Sequence, residues 1–187
     1  IRDSTYEDQP ITYDNGAPVN NASGSFNGTT TIRTAIRNSV NTVAVQCFED
    51  VTPELGLKYL DNFGFTTLAH GTEADTDANG NVYTDANLPT AIGGLTYGVT
   101  PYELTGAYAA IANGGTYVTP KLYTRVTDSD GNVILDNTNP ATRQVIKETT
   151  AFLLTSAMQD VVTSGTGGRV NSVSYTHLRA HETLANL

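Results

Sequence analysis

The chain has 187 residues, enough for one domain, and its 19 Asp and Glu against 10 Lys and Arg give a formal net charge of −9. A nucleic-acid binder needs clustered basic residues to displace counterions, so this balance argues against that class of protein. A hydrophobic fraction of 39% with 17 Gly is too apolar for a disordered chain and predicts a loop-rich globular protein, without the 18-residue apolar run of a membrane-spanning helix.

The first 48 residues divide into a polar part and an apolar, periodic part. Residues 1–30 are rich in turn-forming residues such as Asp14-Asn15-Gly16, which predicts an irregular surface segment. From residue 31 to residue 48 apolar side chains recur at helical spacing, which predicts either one long helix or two helices that meet at residues 39–41. Cys47, the single cysteine, lies on the apolar side, where we expect a small buried residue and no disulfide.

Two later helices have clear start signals. Thr52 followed by Pro53 predicts a short helix that Gly64 closes. Thr100-Pro101-Tyr102-Glu103 combines a Thr cap, a Pro in the first turn and a Glu three residues after the cap. It predicts a longer helix that stops at Asn113-Gly114-Gly115.

The next part of the chain predicts a β-hairpin and a last helix. Residues 122–127 and 133–135 flank the turn sequence Asp128-Ser129-Asp130-Gly131-Asn132, as the two strands of a hairpin would. Thr149 or Thr150 is expected to cap a helix that runs through Val162. Because helices and hairpin follow one another without strand–helix–strand alternation, the predicted fold class is α+β with antiparallel strands.

Ser39-Val40-Asn41 has the pattern S-x-N, which is a weak signal alone but stands first in a series of collinear segments. Those that follow it are Asn62-Phe63-Gly64-Phe65, Ile92-Gly93-Gly94, residues 98–104, residues 107–115 with Pro120, residues 128–133, Val161-Val162 and Gly165-Thr166-Gly167. Over roughly residues 5–170 the chain resembles the transpeptidase domain of penicillin-binding proteins, most closely that of the bifunctional class A enzymes.

The resemblance implies a fold, a reaction and a site. The fold would be a partial penicillin-binding or β-lactamase-like transpeptidase fold that lacks the nucleophile helix and the K-T-G strand. The reaction would crosslink peptidoglycan stem peptides through an acyl-serine intermediate, without a cofactor and with β-lactams as inhibitors. Ser39 would hydrogen-bond the lysine of an S-x-x-K motif and help move a proton toward the leaving group. Asn41 would bind that lysine and an amide carbonyl of the substrate.

The resemblance also implies a location on the extracytoplasmic face of the bacterial plasma membrane, reached through an N-terminal anchor that this chain does not include. Two of the family's three motifs are absent from the chain. Its lysines are Lys58, Lys121 and Lys147; none has Ser three residues before it, and none is followed by Thr-Gly. We therefore expect this fragment to be inactive by itself, with the nucleophile upstream of Ile1 and K-T-G downstream of Asn171 in the intact gene.

The domain organisation follows from the same comparison. Residues 1–171 are predicted to be a partial transpeptidase domain. Residues 172–187 look like the translation of a sequencing adapter rather than a native sequence. As part of a larger fold, the chain is expected to leave apolar helix faces uncovered and to unfold without a cooperative transition.

Three other interpretations stay open. A serine β-lactamase shares the fold and the motifs, and a penicillin-recognising sensor domain would bind the same ligands without catalysis. The third is a calcium-binding surface loop, because Asp75, Asp77 and Asn79 match the first half of a calcium-loop pattern. Ala86 stands where that pattern needs a bidentate Glu.

Overall fold

Antiparallel strand pairs and helices follow one another in the computed structural model, which describes residues 4–170. In chain order the strands and α-helices are β1 (Thr5–Asp8), β2 (Ile11–Thr12), β3 (Pro18–Val19), β4 (Gly28–Thr31), α1 (Ile32–Asn38), α2 (Asn41–Val51), α3 (Pro53–Asn62), α4 (Pro101–Ala112), β5 (Thr116–Val118), β6 (Arg125–Thr127), β7 (Val133–Asp136), β8 (Thr142–Gln144) and α5 (Glu148–Ser164). The pairings of these strands are antiparallel, which confirms the predicted α+β class. The chain divides into two units, one made of Ile1–Val51 with Leu154–Leu187 and the other of Thr52–Leu153.

The N-terminal segment forms two strand pairs, so the prediction of an irregular surface segment is wrong. β1 pairs with β4 in a register that runs from Thr5 opposite Thr31 to Asp8 opposite Gly28, and β2 pairs with β3. The turn residues Asp14-Asn15-Gly16 connect β2 to β3. In this connection the Tyr13 N–H donates to the Ala17 carbonyl at 2.9 Å. The pairing of β1 with β4 joins residues far apart in sequence, which a local composition does not reveal.

Residues 31–48 contribute to two helices, α1 and α2, where the periodicity of the sequence allowed either one helix or two. Thr31 caps α1 through its hydroxyl oxygen. Ser39 then adopts a left-handed conformation, with φ 55° and ψ 53°, which a continuous right-handed helix does not contain. Val40 turns back into the protein and packs with Ala35 and Val43. The chain therefore changes direction at the S-x-N motif while its central residue stays buried.

Cys47 lies on the apolar side of α2, as the sequence predicts. It is half-buried and packs against the apolar cluster formed by residues of α1 and α2. Burial raises the pKa of its thiol. Since a protonated thiol is a poor nucleophile, the geometry gives Cys47 a packing role.

Both predicted capped helices of the second unit form. The Thr52 hydroxyl oxygen caps α3. Thr100 and Glu103 form the predicted capping box at the start of α4. Gly64, which follows α3, has φ +93°, and a Cβ atom there would lie 2.3 Å from the Tyr117 hydroxyl oxygen. Glycine at this position therefore lets β5 pack directly against the end of α3.

Small apolar clusters form the core of the second unit. The first consists of buried residues from α3, α4 and the segment between them: Leu57, Phe65, Leu68 and Ala107. The second joins α4 to β5 and the end of β8: Ala110, Tyr117 and Val145. The Arg143 guanidinium lies 4.3 Å from the centre of the Tyr117 ring and covers that cluster from the solvent side.

The predicted hairpin is present as β6 and β7. Its first strand is shorter than expected, because β6 begins only at Arg125. The Asp128 carboxylate oxygen Oδ1 accepts hydrogen bonds from the backbone N–H groups of Asp130 and Asn132 at 3.0 and 2.8 Å. An Asp that bonds its own turn in this way explains why the turn sequence was a reliable signal.

Helix α5 begins at Glu148, so the prediction that Thr149 or Thr150 caps it is wrong. The N–H groups of Thr150 and Ala151 both donate to the Lys147 carbonyl. Both threonines therefore lie inside the first turn, where their N–H groups need partners but their side chains do not provide a cap.

Large apolar side chains remain exposed on α3, α4 and α5, as expected for part of a larger fold. The most exposed of them is Phe152, at 72%. The others are Leu55, Tyr59, Tyr102, Leu104, Tyr108 and Leu153. The uncovered faces are thus confirmed, and the absence of a cooperative unfolding transition stays a prediction. Within residues 4–170 no helix combines the length and the hydropathy needed to cross a bilayer.

Candidate functional site

Ser39 occupies the turn between α1 and α2 in a strained backbone conformation. Its backbone N–H donates to the carbonyls of Ala35 and Ile36, which closes the end of α1. The side chain is exposed, and its hydroxyl has no hydrogen-bond partner among residues 4–170. In that part of the chain only Ser39 and Thr52 are non-glycine residues with positive φ. A serine kept at such a position, with a free hydroxyl, is an observation that points to function.

Asn41 is the first residue of α2, and the nitrogen of its side-chain carboxamide is held by a hydrogen bond. Its Nδ2 donates to the Asn20 carbonyl at 2.8 Å. Its Oδ1 accepts no hydrogen bond from any residue that the structure describes. Because an amide nitrogen carries two hydrogens, one N–H group of Asn41 and its Oδ1 remain available to a ligand. The turn thus places Ser39 and Asn41 on either side of buried Val40, and their role as the wall of a polar cleft stays a prediction.

A buried carboxylate that the sequence did not reveal lies beneath this turn. Asp8 is 1% exposed. Its Oδ1 accepts from Asn21 Nδ2 at 2.7 Å and from the Thr42 hydroxyl at 2.6 Å. Its Oδ2 accepts from the backbone N–H and the side-chain amide of Asn27 at 2.9 and 3.1 Å. No signal in the sequence pointed to it, because residues 1–30 were predicted to be an irregular surface segment and only the structure shows that Asp8 ends β1.

The charge of Asp8 is held by neutral donors. Burial raises the pKa of this carboxyl, but the hydrogen bonds from Thr42, Asn21 and Asn27 outweigh it and hold the pKa below its usual value. Asp8 is therefore ionised at neutral pH, and four donors converge on it. This network fixes the start of α2 and the segment that carries Asn20.

The turn after α5 lies against the end of α1, two residues before Ser39. The Thr166 N–H donates to the Arg37 carbonyl at 3.2 Å. A Cβ atom at Gly165 would lie 2.3 Å from the same carbonyl oxygen, so only glycine permits this approach. The Arg33 Nε donates to Asp160 at 2.5 Å and its other nitrogens bond to Ser156, which ties α5 to α1 along its last turns. The Gly165-Thr166-Gly167 segment is thereby placed close to the S-x-N turn.

Three further acidic residues, Asp75, Asp85 and Glu103, are buried in the second unit. Asp85 accepts from the Ala69 N–H at 2.8 Å and from the backbone and hydroxyl of Thr96 at 2.7 Å. Glu103, which is 8% exposed, accepts from the backbone and hydroxyl groups of Thr66 and Thr100. Asp85 and Glu103 each join two segments of irregular backbone that would otherwise leave N–H groups unpaired.

Replacing Glu103 with glutamine is expected to destabilise the protein by about 1–3 kcal/mol, because an amide NH₂ group would face the Thr donors. The Thr66 hydroxyl and the Thr100 backbone N–H hold the pKa of Glu103 at about 2. A lowered pKa stabilises the folded state above the unfolded-state pKa, and that stabilisation is lost as the pH falls toward 2.

The measurement is the melting temperature of the product of the intact gene, with and without E103Q, between pH 7 and pH 2. The gap between them should be largest above about pH 5 and should close at lower pH. Glu54→Gln, an exposed change in the first turn of α3, is the matched control and should shift the melting temperature little. A gap that stays constant with pH would contradict the assignment.

The carboxylates of the possible calcium loop accept hydrogen bonds from residues of the same loop. Asp75 Oδ2 accepts from the N–H groups of His70 and Thr72 and from the Thr72 hydroxyl. Asp77 accepts from the backbone of Asn79 and from both nitrogens of Asn81. Among the described residues no three or more His, Cys, Asp or Glu side chains group as a metal site would require. The structure therefore gives Asp75, Asp77 and Asn79 a loop-forming role.

Comparison with known proteins identifies the family. A sequence model of the penicillin binding protein transpeptidase domain matches residues 1–180. Penicillin-binding protein 1A of Clostridium novyi (strain NT) is 33% identical over 150 residues, which are 80% of this chain and 16% of that protein. Penicillin-binding protein 4 of Bacillus subtilis (strain 168) is 35% identical over 140 residues, which are 75% of this chain and 20% of that protein. The chain thus spans a fifth or less of the length of these relatives.

Solved structures show the same fold. Penicillin-binding protein 1A from Haemophilus influenzae has a TM-score of 0.73 at 19% identity, over 92% of this chain and 29% of that chain. Penicillin-binding protein A from M. tuberculosis, solved as a penicillin G acyl-enzyme complex, has a TM-score of 0.68 at 22% identity, over 87% of this chain and 39% of that chain. The predicted partial transpeptidase fold is confirmed. With a family match that covers nearly the whole sequence, the chain belongs to the family of penicillin-binding protein transpeptidase domains.

Proposed function

We propose that the chain is part of a serine-type D-Ala-D-Ala transpeptidase that crosslinks peptidoglycan stem peptides and is acylated by β-lactams. The observation that carries the proposal is the Ser39–Asn41 turn, with its free hydroxyl, its half-anchored carboxamide and its place in a transpeptidase fold. The acyl-enzyme complex of the M. tuberculosis protein supports β-lactams as ligands of this fold. We also propose that the parent protein, which is the product of the intact reading frame, acts on the extracytoplasmic face of the bacterial membrane, as the resemblance to class A enzymes implies.

The proposed mechanism gives each side chain of the turn one task. The nucleophilic serine, its lysine and the K-T-G strand are supplied by parts of the parent protein that these 187 residues do not contain. The serine hydroxyl gives its proton to the lysine amine as its oxygen attacks the substrate carbonyl carbon, the carbon–nitrogen bond to the leaving group breaks, and an acyl-serine ester remains. The Ser39 hydroxyl accepts a proton from the lysine ammonium and passes its own proton to the leaving amine. It can do both because a hydroxyl is donor and acceptor at once.

Asn41 is proposed to orient the lysine and the substrate. Since one of its N–H groups is held by the Asn20 carbonyl, its Oδ1 faces away and can accept from the lysine ammonium. The second N–H group is free to donate to an amide carbonyl of the substrate. A second acyl-transfer step, in which a neighbouring stem-peptide amine attacks the ester, then releases the serine and completes the crosslink.

The proposed domain boundaries follow the sequence analysis. Residues 1–171 form a partial transpeptidase domain, and residues 172–187 are a non-native tail that lies outside the described residues. The family match continues to residue 180, nine residues into that tail. Comparing the coding DNA with adapter sequence tests the assignment, and coding sequence shared with related genes would contradict it.

The parent protein is expected to form a covalent adduct with a fluorescent penicillin, and the 187-residue chain alone is not. Loss of a nucleophilic serine lowers kcat on the order of a million-fold in acyl-transfer enzymes, so the isolated chain should show no label. Denaturing gel electrophoresis of both proteins after incubation with the probe gives the result. Prior incubation of the parent with penicillin G should block labelling.

The same gel separates the alternative functions. A transpeptidase keeps its label for a long time, whereas a serine β-lactamase loses it and hydrolyses excess penicillin. An unlabelled parent protein, or a labelled 187-residue chain, would contradict the proposed function. A sensor domain would be labelled but would crosslink no stem peptides, which a crosslinking assay with lipid-linked substrate resolves.

A further inference from the structure

Asn21 has a side-chain orientation that its surroundings fix. Its Nδ2 donates to Asp8 Oδ1 at 2.7 Å and to the Ser25 carbonyl at 3.0 Å. An ionised carboxylate and a carbonyl can only accept, so the NH₂ group must face them. The Asn21 Oδ1 then faces the opposite way, toward the Thr42 N–H at 3.3 Å. Asn21 thus satisfies one of the unpaired N–H groups at the start of α2 from a distant segment.

Asp8 couples this contact to the helix itself. Its Oδ1 also accepts from the Thr42 hydroxyl, so Asn21 and Thr42 share one carboxylate oxygen. All three residues are buried. Since Asn20 precedes Asn21 and Asn41 precedes Thr42, the network holds two dipeptides side by side. Asn20 and Asn41, the first residues of the two dipeptides, are joined by the hydrogen bond from Asn41 Nδ2 to the Asn20 carbonyl.

The orientation of the Asn41 carboxamide depends on that carbonyl. With the Asn20 carbonyl in place, the Asn41 NH₂ group is held toward it and Oδ1 is turned outward. If the carbonyl moved away, the carboxamide could rotate by half a turn. An NH₂ group would then face an ammonium ion, which is a contact between two donors.

We propose that Asp8 and Asn21 are positioning residues for the S-x-N motif. They hold the Asn20 carbonyl against the start of α2, and the Asn41 carboxamide keeps the one orientation in which Oδ1 meets a cation. This inference rests on the proposed function of Asn41. Neither residue touches the substrate in this proposal, and both act through Asn41.

The test uses Asp8→Asn and Asn21→Leu in the parent protein, with the rate constant of acylation by a fluorescent penicillin as the readout. Both changes should lower it roughly 10- to 100-fold, the effect of a small misplacement of a reacting group. Glu103→Gln is the stability-matched control, because it removes a buried carboxylate in the second unit. It should lower the melting temperature and leave the acylation rate constant unchanged.

A double-mutant cycle with Asn41→Ala distinguishes positioning from general destabilisation. If Asp8 and Asn21 act through Asn41, their replacement should change the rate constant little once Asn41 is alanine. Effects that add in full, or that do not exceed the effect of E103Q, would overturn the proposal. If D8N yields no folded protein, N21L decides by the same criteria. An N41A variant with the wild-type rate constant would instead overturn the proposed function, and the positioning role with it.

Discussion

Replacing Ser39 with alanine in the parent protein is expected to lower the rate constant of acylation by penicillin roughly 100- to 1,000-fold. The hydroxyl is exposed and has no partner among residues 4–170, so its removal takes away a reacting group without opening a cavity. In acyl-transfer enzymes the loss of one preorganised group that stabilises the transition state has an effect of this size. The rate constant is measured from the time course of covalent labelling at several concentrations of fluorescent penicillin.

A comparison of Ser39→Ala with Ser39→Gly separates chemistry from backbone strain. Ser39 has φ 55°, a conformation that costs a residue with a side chain about 1 kcal/mol and costs glycine almost nothing. The glycine variant should therefore melt at a higher temperature than the alanine variant. Both should lose acylation to the same extent, because neither has the hydroxyl. Ser129→Ala, in the exposed turn of the hairpin, is the control for an ordinary surface serine. Wild-type acylation by either Ser39 variant would contradict the role of the hydroxyl.

Gly115→Ala is expected to lower the free energy of unfolding by about 3 kcal/mol, the sum of a strained φ and a steric clash. Gly115 follows α4 with φ +83°, and a Cβ atom there would lie 2.1 Å from the Ile146 carbonyl oxygen. The backbone cannot move aside easily, because the Gly115 carbonyl accepts from the Val145 N–H at 2.8 Å. The change would therefore separate the end of α4 from the end of β8.

Gly131→Ala provides the matched control for this effect. Gly131 has φ +86°, nearly the same as Gly115, but no atom lies within 4 Å of its Cβ position. Its replacement should cost only the conformational part, about 1 kcal/mol. Thermal or denaturant unfolding of the two variants of the parent protein gives the difference. Equal losses of stability at the two glycines would show that the clash at Gly115 is relieved by movement of the chain.

Helix starts were predictable because the chemistry of a helix cap is local. Thr52 and Thr100 each bond an N–H group three residues ahead, and Glu103 bonds back to Thr100. All the atoms involved lie within four residues of one another. The same kind of reasoning misplaced the start of α5, since two adjacent threonines fit a cap pattern that the structure does not use.

Long-range pairings were not predictable from local patterns. Nothing near Thr5 or Thr31 indicates that the two residues lie opposite each other in β1 and β4. Periodicity also could not decide between one helix and two around Ser39, because the choice depends on whether Val40 packs against α1. Burial that comes from distant segments decides both cases.

The candidate site was predictable only in part. Ser39 and Asn41 were identified by the order of several segments along the chain, because the S-x-N pattern by itself is common. Asp8 was not identified, since an acidic residue in a polar, turn-rich segment suggests a surface position. Its role depends on donors from Asn21, Asn27 and Thr42, which only the folded chain brings together.

The buried carboxylates have a consequence for the response of this fold to salt. Among the described residues, Asp8, Asp85 and Glu103 receive neutral N–H and O–H donors, and no Lys or Arg side chain forms an ion pair with them. Dissolved ions weaken attraction between exposed charges over distances of about 8–10 Å, but they do not reach short bonds in a dry interior. Dissolved ions would also reduce the mutual repulsion that accompanies a net charge of −9. A high salt concentration should therefore leave the hydrogen bonds of these buried carboxylates as strong as they are in dilute buffer.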